Sequence, residues 1–164
     1  MVTRYAVTDS PIGPLLLVAA PDGDGLAGLY VADEPGAPSA LGPDWEEDPA
    51  ALAEPLRQLE EWFAGQRREF DLELRPAGTP FQLAVWEGLR LIPYGETWSY
   101  GDLARHVGKP GAARAVGRAN GRNPISIVVP CHRVIGADGS LTGFGWGVDR
   151  KAWLLDHERK VVAG

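Results

Sequence analysis

The run Ile125-Ser126-Ile127-Val128-Val129 ends on Pro130, and the residue that follows, Cys131, is the only cysteine in the chain. Proline disfavours helical geometry for the residue before it, so Val129 is pushed toward extended backbone, and its β-branched neighbours favour the same. The stretch therefore predicts a strand over 125–129 that stops at a thiol. A lone cysteine is most often a small, inert, buried hydrophobe. Here His132 and Arg133 follow it directly. A histidine held by a carboxylate, or a positive charge nearby, is what turns a thiol that titrates near about 8.5 into a nucleophile. Asp138, Asp149, Asp156 and Glu158 are the carboxylates available to hold His132, and spacing does not choose among them. Neighbouring side chains on an extended chain point to opposite sides, so His132 is expected to reach Cys131 through a water or a local bend.

A single cysteine allows neither an internal disulfide nor a multi-cysteine zinc site, and it suits a reducing cytoplasm. His106 and His157 have no second ligand at metal spacing, so neither a metal nor a cofactor is expected. No apolar run approaches the length of a membrane span, and the start of the chain lacks the pattern of a signal peptide. At 164 residues the chain can build one sizeable core or two small subdomains. Its net charge of -6 argues against a simple nucleic-acid binder until the charges are located. Residues 1–96 carry 6 basic and 17 acidic side chains (net -11), whereas residues 97–164 carry 10 and 5 (net +5). The basic half fits a surface that faces a polyanion, or equally a solvated one.

In the first half, alternation over Arg4–Thr8, the apolar run Leu15–Ala20 and the segment Leu26–Val31 predict three strands, joined by Pro- and Gly-containing turns into an antiparallel meander. Residues 32–49 read as a loop. A helix is expected over 49–64, with Leu52, Leu56, Leu59 and Phe63 on one stripe, or starting at Pro55, and Phe70, Leu72 and Leu74 suggest one more strand. Pro76-Ala77-Gly78 marks a boundary, giving domains at 1–76 and 79–164. Thr79 is a good N-cap before Pro80, and Phe81, Val85, Leu89 and Ile92 recur at helical spacing. Ser99–Val107 and Ala112–Asn120 predict two short helices around the turn Gly108-Lys109-Pro110-Gly111, the outline of a helix-turn-helix or a plain helical corner. A turn over 136–140 and a glycine-rich loop over 142–147 lead to a last helix, Arg150–Glu158, capped by Asp149.

Several of these segments together resemble one family. Pro130-Cys131-His132-Arg133-Val134 is similar to the active-site signature of the O6-alkylguanine-DNA alkyltransferases, also called methylated-DNA-protein-cysteine methyltransferases. The likeness extends over Ser10-Pro11-Ile12-Gly13, Phe81-Gln82, Val85-Trp86, Ile92 to Thr97, Ser99-Tyr100, Arg114 to Gly117, Asn123-Pro124, Trp153 to Leu155 and His157-Glu158. It implies an α/β fold: an N-terminal antiparallel sheet with a helix, ribonuclease-H-like, and a mainly helical C-terminal domain bearing the helix-turn-helix. It implies double-stranded DNA containing alkylated guanine as partner, with O4-alkylthymine a second candidate substrate, and a monomer in the absence of DNA.

By the same resemblance Cys131 takes the alkyl group irreversibly, one per molecule. Glu158, His132 and a water form a relay to it, and Asn123 braces the turn that carries it. Tyr100 helps turn the nucleotide out and donates a proton to guanine. The carbonyl of Val134 contacts the guanine amino group, and Arg114 fills the gap left by the flipped base. The second helix offers Ala112, Ala113, Ala115 and Gly117 in place of polar base readers, which suits close approach in a minor groove without sequence preference. Arg105, Lys109, Arg118 and Arg122 remain for phosphates. Family members usually carry Gly-Tyr-x-Gly-Gly after the active site, where this chain has Gly143-Phe144-Gly145-Trp146-Gly147. Phe144 keeps an aromatic wall without the hydroxyl, the amide of Gly145 can approach O6, and Trp146 stands where a glycine would line the pocket rim. A silent binder of alkylated DNA would lack the cysteine, while a cysteine hydrolase built on Cys131, His132 and Glu158 would turn over and need no DNA.

Overall fold

The computed structural model describes residues 2–21, 23, 25–32, 34, 43–141 and 144–164. Gly143, parts of the 32–49 loop and parts of the 21–25 turn lie outside them. The chain divides into two compact units, 1–77 and 78–164.

The first unit is built on β1 (Thr3–Thr8), β2 (Leu15–Ala19) and β3 (Leu26–Val31), paired antiparallel in the expected meander. Every residue of β2 is buried, which makes it the centre of the sheet. A fourth strand, β4 (Trp45–Glu47), lies in the stretch read as loop and pairs parallel to β1, so the sheet is mixed rather than purely antiparallel. A 3-10 turn over Pro49–Leu52 packs Leu52 against β1 and β2 and leads into α1 (Ala53–Phe63). Pro55 falls in the first turn of α1, where backbone N–H groups have no helical partner to lose.

The strand expected at Phe70–Leu74 is absent. Gln58 takes the backbone there instead: its amide donates to Asp71 O at 3.0 Å and accepts from Asp71 N at 2.9 Å. Only Leu74 bridges to Leu26, at the start of β3.

In the second unit, α2 (Pro80–Leu89) begins at Thr79 with the reciprocal capping box completed by Gln82. It buries Val85, Trp86 and Leu89 against α3 (Tyr100–His106) and α4 (Ala113–Gly121). The Trp86 indole N–H donates to Ala119 O at 2.8 Å. Ser99 and Asp102 form a second capping box at the start of α3. Two very short strands that periodicity does not reveal, β5 (Trp98–Ser99) and β6 (Val134–Ile135), pair in parallel and tie the entry of α3 to the exit of the cysteine segment. The last helix, α5 (Val148–Ala163), is longer at both ends than expected, and its N-cap is Gly147 rather than Asp149. Asp149 sits inside the first turn, where its charge still suits the helix dipole.

The main departure is at 125–129. The residues are buried as expected but form a tight turn, not a strand. Val128 N donates to Ser126 O and Val129 N to Ile125 O, each at 2.9 Å, and Ile127 adopts φ 72. Asn123 closes the turn from the side: it donates to Val129 O at 2.8 Å and accepts from Ile125 N at 3.0 Å. Side-chain amide bonds thus replace sheet partners, and Cys131 opens a 3-10 turn, Cys131–Arg133, instead of ending a strand.

A left-handed, β-branched residue costs about 1–2 kcal/mol. Ile127 is only 1% exposed, and truncating a buried isoleucine costs about 2–5 kcal/mol. Packing therefore outweighs strain, and Ile127→Gly is expected to lose about 1–3 kcal/mol in urea denaturation; a gain would mean that strain dominates.

Candidate active site

Glu158, on α5, is fully buried, and so is His132, whose Nε2 lies 2.7 Å from Glu158 Oε2. Arg133, 7% exposed, forks onto the same carboxylate: Nε donates to Oε1 at 2.9 Å and Nη2 to Oε2 at 2.8 Å. Its Nη1 donates to Ile92 O at 2.8 Å, and its guanidinium lies over the Tyr94 ring. The Gly95 amide adds a bond to Glu158 Oε1 at 3.2 Å. Gly95 has φ 82, and a Cβ there would sit 2.7 Å from Val162 Cγ2, so only glycine brings this amide to the carboxylate. Of the four candidate carboxylates, the fold selects Glu158.

Burial alone would raise the Glu158 carboxyl. The hydrogen bond from His132 and the hydrogen bonds and charge of Arg133 outweigh it and hold the group at about 2. Burial lowers His132, against the pull of Glu158, so the ring is neutral at neutral pH. A neutral ring that donates to the carboxylate carries its proton on Nε2, which leaves the lone pair on Nδ1.

Cys131 is 3% exposed, and burial raises its thiol. Side-chain hydrogen bonds from Asn123 and Ser126 and the charge of Lys151 act in the opposite direction. Sequence reasoning put Arg133 in this role, but its guanidinium is committed to Glu158 and Ile92 O. The charge that favours the thiolate comes from Lys151, on α5, whose ammonium is fully buried, donates to Val134 O and lies 5.8 Å from the Phe144 ring centroid. Lys151, Ser126, Gly95 and Asn120, whose amide reaches Cys131 O at 3.4 Å, were not foreseen. Lys151 could have been: it shares a helical stripe with Leu154, Leu155 and Glu158, and all four are buried.

Tyr100 is the first residue of α3, and Gly117 on α4 faces its ring: a Cβ there would lie 3.5 Å from Tyr100 Cδ1. Arg114, Arg118 and Arg122 recur at four-residue spacing along the exposed side of α4, opposite buried Val116, Ala119 and Asn120. Ala112, Ala113 and Ala115 are half-buried, while Arg105 and Lys109 are exposed, with Arg105 paired to Asp102. Phe144 is half-buried and Gly145 exposed. Trp146, 8% exposed, packs edge-on against Phe144 with ring centres 5.8 Å apart, and its carbonyl accepts from Arg150.

Residues 3–76 match the family model for the 6-O-methylguanine DNA methyltransferase ribonuclease-like domain, and residues 80–160 the model for its DNA-binding domain. The chain belongs to the 6-O-methylguanine DNA methyltransferase family. The methylated-DNA--protein-cysteine methyltransferase of Mycolicibacterium paratuberculosis is 55% identical, over 96% of this chain and 93% of its own length. That of Methanosarcina acetivorans is 52% identical over 94% and 97%. Among solved structures, Mycobacterium tuberculosis OGT in complex with DNA matches with a TM-score of 0.87 at 51% identity, covering 96% of this chain and 94% of that one.

In this methyltransferase chain, no helix among the described residues is long and apolar enough to cross a membrane. No cluster of three or more His, Cys, Asp or Glu able to hold a metal ion occurs among them.

Removing one partner of a buried charge pair typically costs about 3–5 kcal/mol. Glu158→Gln should therefore lower stability at pH 7 by about 3 kcal/mol. The Glu158 contribution is complete above its ordinary value of 4.5 and disappears as pH falls toward about 2. The gap between wild type and variant in chemical denaturation should close over that window; a constant gap would place the effect elsewhere.

Proposed function

We propose that this chain repairs double-stranded DNA by transferring the alkyl group of an O6-alkylguanine to Cys131, once per molecule and without return, with O4-alkylthymine a second substrate. It is a methylated-DNA-protein-cysteine methyltransferase. What carries the reading is a cysteine signature of this family, Pro130 to Val134, held on a buried His132–Glu158–Arg133 cluster. We infer that it works in the cytoplasm and is a monomer when no DNA is bound.

In this reading His132, with its lone pair on Nδ1, takes the thiol proton through a water, and Glu158 stabilises the imidazolium. The sulfur attacks the alkyl carbon, the carbon–oxygen bond breaks, and its electron pair stays on the guanine. Tyr100 delivers a proton to the leaving base, matched by the one His132 removed. Guanine returns to its normal form, and Cys131 is left as a thioether. A thioether has no easy leaving group, so the site is spent.

Asn123 holds the cysteine turn, while Val134 O, Phe144, Gly145 and Trp146 form the base pocket. Helix α4 enters the minor groove, with Arg114 filling the space of the extruded nucleotide. The exposed Arg118, Arg122, Arg105 and Lys109 meet phosphates, so binding weakens as salt rises.

Incubation with a duplex containing O6-methylguanine should add one methyl group to Cys131, read by intact mass and peptide mapping. Cys131→Ser should abolish transfer and leave DNA binding intact. Binding without a mass change would instead indicate a silent binder, and multiple-turnover ester or amide hydrolysis without DNA a hydrolase. With Trp146 in place of glycine, methyl adducts should be repaired well and benzyl adducts poorly or with altered kinetics. Equal rates on the two would count against Trp146 as a limit on adduct size.

A further inference from the structure

We propose that Ser126 is a further catalytic residue of the alkyl transfer, its hydroxyl the hydrogen-bond donor that holds Cys131 Sγ as a thiolate when the alkyl group arrives. This rests on the function proposed above and assigns a role to a residue outside the motif that carries it. Ser126 Oγ lies 3.7 Å from Cys131 Sγ, within reach of a hydrogen bond to sulfur, and the two residues are 6% and 3% exposed.

The contact exists only because of the turn at 125–129. Had the segment been a strand, residues 126 and 131 would point to opposite faces and stand about 17 Å apart. The left-handed backbone at Ile127 and the Val128–Ser126 and Val129–Ile125 bonds fold the chain back, so that the hydroxyl meets the sulfur. A strained, β-branched residue at this point has an evident consequence, the Ser126–Cys131 contact.

A serine hydroxyl has one proton to give and lone pairs to receive. In the resting site the thiol S–H donates to Ser126 Oγ. When the thiol loses its proton, rotation about the Cβ–Oγ bond turns the same hydroxyl into a donor to the thiolate, with no heavy atom moving. A hydrogen bond to an ionised group in a buried site is among the strong ones. Asn123 and the ammonium of Lys151 act on the sulfur in the same sense. His132, beside it in the chain, is paired to Glu158, and Arg133 to Glu158 and Ile92 O.

Ser126 keeps its own proton throughout. The thiol proton leaves through His132, the sulfur–carbon bond forms, the carbon–oxygen bond breaks, and guanine is protonated. Once the sulfur is a thioether it is a weak acceptor, and the bond is largely lost.

The test uses the full chain with Ser126→Ala and Ser126→Thr. Single-turnover methyl transfer from an O6-methylguanine duplex is followed against pH. In parallel, the pH dependence of Cys131 alkylation by iodoacetamide is measured without DNA. Ser126→Ala should slow transfer about tenfold or more at neutral pH, with the loss recovered at alkaline pH. Its iodoacetamide profile should move alkaline by about one pH unit. Ser126→Thr, which keeps the hydroxyl, should stay near wild type, and binding to undamaged duplex should be unchanged in both.

A Ser126→Ala profile superimposable on wild type, or a Ser126→Thr profile displaced as far as that of alanine, would overturn the role. A uniform loss at every pH in step with lost thermal stability would also overturn it, as mere packing. Failure of the wild-type chain to transfer methyl at all would sink the proposed function and this catalytic role together. That outcome is distinguishable, because the iodoacetamide profiles need no DNA.

Discussion

A carboxylate with no exposure to water is costly to bury unless its oxygens are fully engaged, and Glu158 shows how this fold meets that condition. Its two oxygens receive His132, a forked Arg133 and the Gly95 amide. These donors come from separate segments: the cysteine turn and the turn after α2. Satisfying one buried anion therefore fixes the last helix, the nucleophile's segment and the 93–95 turn against one another. Arg133 also ties in Ile92 O. The two residues that follow Cys131 are thereby anchored on this one ion, while Asn123 and Asn120 hold the turn that leads into the cysteine. An isolated change to any donor leaves a charge stranded in the interior, a larger effect than the loss of an ordinary surface pair.

The charges that such a site uses for structure are unavailable for chemistry. Arg133 stands two residues after Cys131 in the chain, and that closeness suggested that it favours the thiolate. Once it is forked onto Glu158, that part falls to Lys151, twenty residues after Cys131, whose effect on the thiol is of the right sign. Lys151 also donates to Val134 O and lies under Phe144, so the group that acts on the sulfur also orders two residues assigned to the base pocket. Trp146 packs edge-on against the same Phe144 ring. A change at Trp146 can thus be felt at the pocket without touching substrate.

Legibility from sequence followed how local the determining forces were. Capping at Thr79 and the three-stranded meander depend on near neighbours and came through, with strand limits within one residue. The fourth strand did not, because Trp45–Glu47 is three residues long and has no periodicity to show until β1 offers an edge. Phe70–Leu74 failed for the opposite reason: its alternation was real, but a single buried glutamine captured the backbone first. The cysteine segment is the instructive case. Its composition said buried and extended, and buried was right. A side-chain amide at Asn123, several residues upstream, supplied what a partner strand would have given, and the chain turned. The motif residues Cys131, His132 and Glu158 were readable as chemistry, whereas Ser126 became visible only once the turn existed.

The resting ionisation of the site bears on the single use proposed for it. Burial pushes the Cys131 thiol up and the His132 imidazole down, so both are neutral at rest. A standing thiolate–imidazolium pair would be the more reactive arrangement, but the thiolate is also the form that oxidants and stray electrophiles attack. An enzyme that regenerates its nucleophile can tolerate a reactive ground state. A protein whose only cysteine is consumed by its first reaction cannot, because every adventitious modification removes a whole molecule from service. A thiol kept neutral and 3% exposed, with acceptor, base and charge already in place around it, suits a nucleophile that is spent by its first reaction.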